Sequence, residues 1–531
     1  MKTIFTALIL SMTLLTNYTQ NFDYTLSLNS VSITNLDGIH SYAFGQHEGK
    51  WLIVGGRLDG IHPRPANSSF PASMNNTDLY VIDPTTEQYW STPLSSLPTG
   101  IQEQLQSTNM NFRQIDDTLY IIGGYAYSNT AADHITFPNL TTIIVSSTID
   151  AIVNSQPITA YFQQITDEEF AITGGQLGYL DGSFYLVGGH RFDGRYNPMG
   201  NPSYTQTYHT GYKTFTISNA SGNLSYSNLV QTTDAVHLRR RDYNLMPQVF
   251  PDGTLGYTIS SGVFQAVTDM PFLYPVDIKA TGYTPQTTFN QYLSHYHSAK
   301  TSMYDPTNNR MHNIFFGGLS QYYYDGTTLI QNDSVPFVKT ISLVTREANG
   351  TLTEYQLPIE MPGLKGASAE FISNMTLSRY ENEVLNLDNL TGDSSLVGWI
   401  YGGLESSSLN PFFNNTISDT QADNSIYEVW IKKNPLGVDQ IDGSNPFDFE
   451  LLPNPVKTNF ELQFELTQKA SVDYYITTLD GKLLEQQHGL VLNEGTQKIR
   501  IEKPEQASTG VHFITVAFDG VYFVTKKLIF K

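Results

Sequence analysis

Two short runs gather the side chains best suited to chemistry, Arg239-Arg240-Arg241 and His295-Tyr296-His297. They are the densest basic and imidazole clusters of a chain with 50 acidic and 29 basic side chains and a formal charge of −21. Convergent Arg, His and Tyr suit a carboxylate or a sulfate on a sugar, which they grip by bidentate hydrogen bonds and stacking. The same residue types could serve as acid and base in a carbohydrate-active enzyme, a polysaccharide lyase or a sugar isomerase. Other chemistries are excluded. There is no cysteine, which removes disulfides, thiolate metal sites, cysteine nucleophiles and lipidated cysteine anchors. No phosphate loop, zinc-binding helix, nucleophile elbow or EF-hand loop occurs, and Asp388-Asn389 and Asp393 read as turns. No cofactor motif is identified, and a metal ion in a central channel stays an open alternative. The acidic field repels a phosphate backbone, so nucleic acid is not an expected partner.

The elements that must position these groups recur along the chain. A turn, an apolar strand and a glycine pair appear as Gly49–Gly56, Asp117–Gly124 and Gly182–Gly189, then as His312–Gly318 and Val397–Gly403. The double-length gap between Gly189 and Gly317 holds a worn copy, Gly253–Gly262, which makes six units. After each pair a loop leads to further β-branched and aromatic runs, such as Asp78–Asp83 and Val338–Val344, the latter entering a hairpin at Asn349-Gly350. Each unit therefore reads as a four-stranded antiparallel meander. Such a unit cannot bury its own faces, so its repetition implies a propeller.

At these residues the chain resembles kelch-repeat β-propellers, and the double glycine after an apolar strand is the specific part of the match. The kelch tryptophan stands in good position once, at Trp90. The resemblance implies that residues before each innermost strand and just after each glycine pair share one rim of the central channel. The after-glycine positions hold Arg57, Tyr125, His190 with Arg191, Leu319 and Leu404; the strand-start positions hold His40, Asn111, Arg241, His297 and Ser368. His40, Arg57, Tyr125, His190, Arg191, Arg241 and His297 are accordingly the candidate ligand-binding residues. A cationic rim on an acidic protein points to an anionic glycan, with a surface protein as the other candidate partner; these residues could also be solvated loop charges or structural hydrogen bonders. No catalytic residue is assigned. Galactose-oxidase-like kelch enzymes need a tyrosine cross-linked to cysteine, which this chain lacks. The reading is a binding propeller at the cell surface, with a carbohydrate-active enzyme as the alternative. Alternating Tyr24, Leu26 and Leu28 with Val31 and Ile33 read as the last strand of the final blade, closing the ring.

The two ends carry targeting information. Lys2, an apolar run from Ile4 to Leu15 and polar Thr16–Gln20 read as a cleaved signal peptide, too short to anchor in a bilayer. No later segment is long and apolar enough to span. The expected domains are a signal peptide over 1–20, the propeller over 21–433, a linker over 434–445 and a small Ig-like β-sandwich over 446–531. The sandwich is marked by alternating Phe460, Leu462, Phe464 and Leu466. It closely resembles the C-terminal sorting domain of the type IX secretion system of Bacteroidetes, at Pro453-Asn454-Pro455, Asp480-Gly481-Lys482, Gly510 and the basic end with Lys526-Lys527. Family members usually carry an aromatic where this chain has Leu452, and a tyrosine where it has His512 followed by Phe513. The resemblance implies export across the outer membrane by that machinery, with the protein released or held at the surface. A monomer is expected, all-β throughout.

Overall fold

The computed structural model describes residues 22–199, 203–219, 222–434, 448–479, 481–518 and 522–531. The expected signal peptide, the linker beyond Asn434 and Asp480 lie outside them. The chain divides into two compact units, Met1–Lys433 and Asn434–Lys531.

The first unit repeats one plan. Ala43–His47, Lys50–Val54, Asp78–Asp83 and Gln88–Pro93 form an antiparallel meander. Five sheets of the same order follow, with innermost strands Asn111–Ile115, Gln176–Leu180, Asn244–Val249, Ala299–Asp305 and Glu370–Ser373. The second strand carries a run of apolar residues in the first, second, third and fifth sheets, as in Trp51–Val54 and Ile314–Phe316, all buried. Both faces of such a strand lie against neighbouring sheets, so no solvent side calls for polar residues. The burial is shared in sequence. One apolar cluster joins Leu52 and Val81 to Leu119 and Ile143, another joins Leu140 to Leu186, and another joins Tyr185 to Tyr257. Met246 packs with Phe315, Ile314 with Val397, and Tyr401 with Trp51. The last of these brings the sixth sheet back to the first. The arrangement is consistent with a β-propeller.

The N-terminal strand completes the sixth sheet. Tyr24–Val31 pairs antiparallel with Ile426–Lys433 along its whole length, from Tyr24 opposite Lys433 to Val31 opposite Ile426.

The glycine pairs are where one sheet is stitched to the next. Gly123 and Gly124 have φ of 69° and 95°, a region costly to residues with a Cβ. A Cβ on Gly123 would stand 1.8 Å from the Ile172 carbonyl oxygen, at the start of the third sheet. The Gly124 N–H donates to that same carbonyl at 3.2 Å, as Gly189 does to Arg240 at 2.7 Å and Gly403 to Ile39 at 2.8 Å. In the worn fourth copy Ser261 takes the first glycine's place at φ 51°, followed by Gly262 at 94°. The backbone geometry survives although the motif is eroded.

The segments after the glycine pairs, expected as loops, form strands of their own. Tyr125–Ser128, Asp133–Thr136, His190–Gly194 and Tyr204–Tyr208 make a four-stranded sheet; Leu364–Ala367, Leu404–Ser406 and Thr420–Ala422 make a three-stranded one. Two short helices, Thr99–Leu105 and Val145–Val153, pack into the cluster between the first and second sheets.

The second unit has a three-stranded sheet, Phe449–Leu452, Asn459–Leu466 and Gly495–Glu502, and a four-stranded sheet built on Ala470–Thr478 and Gly510–Phe518. One apolar cluster holds Leu462 and Phe464 against Ile476 and Phe518. Among the described residues no helix is long and apolar enough to cross a membrane.

Candidate functional site

The six innermost strands surround a channel. At one end their starts are joined by a closed circle of six backbone hydrogen bonds. Ser41 N–H donates to Ser368, Ser368 to His297, His297 to Asp242, Asp242 to Gly174, Gly174 to Asn109, and Asn109 back to Ser41, at 2.8–3.1 Å. Each sheet contributes one donor and one acceptor of the same residue, so none of these groups is left bare inside the ring. Beyond the circle lies a cavity of about 950 Å³, in the upper part of the roughly 300–1,000 Å³ range of small-molecule sites.

The inner end of this cavity carries four ionisable side chains, Asp242, His297, Lys300 and Glu370. His297 Nε2 lies 3.1 Å from Glu370 Oε1, and the Glu370 side chain is buried. Burial would raise the Glu370 carboxyl, but His297 and Lys300 outweigh it and hold the group below its ordinary range. Burial lowers the Lys300 ammonium, with Glu370 opposing. Asp242 is raised, chiefly by burial, against Arg241 and His297. Among the described residues no group of three or more His, Asp or Glu is placed to hold a metal ion.

The opposite end is crossed by a strap from the sixth sheet, residues 374–390. The Asn382 side chain, fully buried, donates to the carbonyls of Gln248 at 2.8 Å and Gly256 at 3.3 Å in the fourth sheet. Glu383 pairs with Arg113 of the second sheet at 3.0 Å, and Leu385–Asn386 adds a parallel bridge to Met303 and Tyr304 of the fifth. Arg379, lowered to about 10 by burial against Glu383, holds the strap's own carbonyl at Glu383 from 2.9 Å. Beside the strap the cavity is lined by Glu48, Asp116 and Asp117.

The candidate rim residues sit as follows. His40 bridges Arg57, Thr108 bridges Tyr125 and Thr173 bridges His190, so strand starts and after-glycine positions are adjacent. Their charges are nevertheless consumed internally. Arg57 is 3 % exposed and gives its donors to both Asp59 oxygens at 2.7 and 2.6 Å and to Asn75 at 2.9 Å. His40 lies 3.9 Å from the same carboxylate and is lowered by burial, against the pull of Asp59. Tyr125 donates to the Gly194 carbonyl and accepts from Tyr196 N–H, both at 2.8 Å. His190 is buried, bonded to Gln206 at 2.8 Å and lowered by burial and then by Arg241. Arg191, on the surface, pairs with Glu168 at 2.5 Å and Asp193 at 2.9 Å. Arg241 meets Asp242 at 3.1 Å and the Tyr208 hydroxyl at 3.2 Å, with the Phe264 ring 5.2 Å away. Only His297 of the seven lines the cavity.

The two dense runs do not act as patches. Arg239 lies over the Tyr208 ring at 3.6 Å. Arg240 is 0 % exposed, between Phe272 and Tyr274, and donates to the carbonyls of His237, Ser261 and Tyr274 at 2.7–2.9 Å. His295 is equally enclosed, accepting from Gln321 N–H at 2.9 Å. Arg240→Met should therefore cost about 2–4 kcal/mol of stability, because one buried carbonyl and two half-buried ones lose their donor. Surface Arg191→Ala should stay within about 0.5 kcal/mol. Urea unfolding of both variants measures the contrast, and equal losses would contradict the placement of Arg240.

In the second unit the Asn454 amide donates to Lys527 O at 2.7 Å and its oxygen accepts from Ile529 N–H at 3.0 Å. The Pro453-Asn454-Pro455 motif is thus pinned to the last strand, which carries Lys526, paired with Asp448 at 2.7 Å, and Lys527. Gly481 and Lys482 form the turn closed by Thr478, with Gly481 at φ 84°, and Gly510 opens the Gly510–Phe518 strand.

Residues 450–531 match the family described as "Secretion system C-terminal sorting domain". No curated protein matches the chain. Among solved structures, one described as "Structure of YjhT" is 12% identical with a TM-score of 0.41, over 74% of this chain and 95% of that one. A fungal alcohol oxidase of the AA5 family in complex with copper is 8% identical with a TM-score of 0.37, over 96% and 100%. The sorting domain makes this a protein exported to the cell surface or secreted, which engages the type IX secretion machinery through its C-terminus. Deleting residues 446–531 should leave the first unit folded but retained in the periplasm, as cell fractionation would show. Appearance of the truncated chain in the medium or at the surface would remove the sorting role.

Proposed function

We propose that this protein is an exported glycan-binding propeller, a six-bladed kelch-type ring over residues 21–433 that seats a neutral sugar in its central channel. A linker over 434–445 joins it to an Ig-like sorting domain over 446–531. The observation that carries the reading is the lining of the channel. Phe44, Phe112 and Tyr179 bring aromatic rings to it, and Glu370 and Asn109 bring planar polar groups. Sugars need both, an apolar face for their C–H groups and acceptors and donors for their hydroxyls. An anionic glycan is the less favoured ligand, because the rim cations are already neutralised by Asp59, Glu168, Asp193 and Asp242. It would also pass Glu48, Asp116 and Asp117 on entering.

A glycan array and calorimetry with the mature full chain test this at low and high salt. Neutral oligosaccharides should bind with little salt dependence, and Phe112→Ala and Glu370→Gln should each weaken binding by about 1–3 kcal/mol. Binding restricted to acidic glycans, or untouched by both substitutions, would count against the channel. A second reading, a carbohydrate-active enzyme with its site in the channel, is favoured by the His297–Glu370 pair beside Lys300. Conversion of a bound sugar would decide for it.

A further inference from the structure

We propose that Lys300 forms a reversible imine with a small aldehyde, or with a sugar in its open-chain form, at the inner end of the channel. The inference rests on the channel being the ligand site. Lys300 belongs to the innermost strand Ala299–Asp305, between buried Ala299 and Thr301, and lines the cavity while half-buried. Its surroundings differ from those of the other interior lysines of this unit. Lys213 is clamped by Glu169 at 2.8 Å, and Lys365 by Glu405 at 2.8 Å and Asp423 at 3.1 Å. Among the described residues Lys300 forms no ion pair within 4.0 Å; Glu370 acts on it from farther off and is itself engaged by His297. A desolvated lysine without a clamping carboxylate is the form in which the amine serves as a nucleophile.

The neighbouring groups supply the proton transfers. The neutral Nζ lone pair attacks the carbonyl carbon, and the carbonyl π pair moves to oxygen, which takes up a proton. The resulting carbinolamine loses one nitrogen proton and, after protonation of its hydroxyl by the His297–Glu370 pair, expels water to leave the protonated imine, whose N–H proton returns to the pair. Amine and carbonyl thus give imine and water, and addition of water reverses the step without any oxidant or reductant. His297 Nε2, 3.1 Å from Glu370, is held by a carboxylate that can balance its charge when it carries the proton. Asp242 and Arg241, paired with each other at 3.1 Å, add no net charge nearby.

The test uses the full mature chain with glycolaldehyde and cyanoborohydride, followed by peptide mass mapping over time. Lys300 should be alkylated about tenfold faster than exposed Lys469 and Lys482, as expected of a desolvated nucleophilic amine. Lys300→Arg should leave only the surface background, and Glu370→Gln should slow labelling at Lys300. Wild-type labelling of Lys300 no faster than Lys469 and Lys482 overturns the imine. Calorimetry with an aldose and its alditol, which has no carbonyl, separates the two claims. Alditol binding without Lys300 labelling removes the imine and keeps the sugar channel. Lys300 labelling by glycolaldehyde with neither saccharide bound keeps the imine and removes the sugar reading.

Discussion

A chain beginning at Ile33 should lose the cooperative melt of its first unit, whereas one beginning at Phe22 should retain it. The strand Tyr24–Val31 supplies the outer edge of the sixth sheet, and its eight residues pair with Ile426–Lys433 without a break. Phe22 and Leu26 are 4% and 5% exposed and lie in the cluster that also holds Val429 and Ile431. The Phe22 ring meets His312 of the fifth sheet at 5.1 Å, so this segment reaches the neighbouring sheet as well. Burying two such side chains contributes about 1.5–3 kcal/mol each, and an exposed strand edge is then open to aggregation. With the ladder lost too, the deficit should reach about 5–8 kcal/mol, comparable to the whole stability of many domains. Calorimetric melts of the two chains, with Phe22→Ala as a milder step of about 3–5 kcal/mol, measure it. An unchanged melting temperature would mean that the ring holds together without this strand.

That closing strand was legible because its alternation is a backbone property, side chains falling to opposite faces every residue. Leu26 is buried while Thr25 and Ser27 are not. The glycine pairs were legible for a similar reason, since a carbonyl of the next sheet occupies the place of a Cβ at Gly123 and Gly402. The worn fourth unit could be counted because Ser261 tolerates the same left-handed conformation.

The site was less legible, and a shift of one or two residues explains much of it. Asp242 and Ser41 line the cavity, each one residue beyond Arg241 and His40, where the strand-start mapping put the site; at the second sheet the lining residue is Asn109, two before the mapped Asn111. Ser41, Asn109 and Asp242 have φ of 55°, 52° and 49°, so the chain turns at these positions and the neighbouring side chain leaves in another direction. The neutralised rim did leave a signal. Arg57 with Asp59 and Arg191 with Asp193 are two residues apart, the spacing that puts both on one face of a strand. Glu370 stands 70 residues from Lys300, on the innermost strand of the next sheet, and no local pattern announces the pair. The strap was hidden as well, because Asn382 and Glu383 find their partners in sheets that precede them by more than 100 residues.

Acid should unfold the first unit at a pH well above that at which carboxylates ordinarily titrate. His62, His209, His295 and His312 are all lowered from 6.5 to about 4, in each case mainly by burial. A histidine buried neutral binds its proton more readily once unfolded, so between those values the unfolded chain holds more protons. Stability therefore rises with pH through this window, is complete above about 6.5, and is lost as pH falls toward 4. For His295 and His312, 0% and 2% exposed, a shift of this size corresponds to about 3 kcal/mol each. Glu354 works in the other direction. Its carboxyl accepts from the N–H groups of Tyr292 and Leu293 at 2.6 and 3.0 Å, yet burial outweighs them and raises it from 4.5 to about 8. The folded chain then holds the extra proton, and stability declines as pH rises from 4.5 to 8. The two slopes place the maximum near pH 6–7, with the acid side steeper because several histidines act together. Melting temperatures from pH 4 to 9 should show this asymmetry. Glu354→Gln should flatten the alkaline limb alone, and His312→Gln should remove part of the acid one. A wild-type melting temperature constant from pH 6.5 to 4.5 would mean that these imidazoles are protonated, or reach water, in the folded protein.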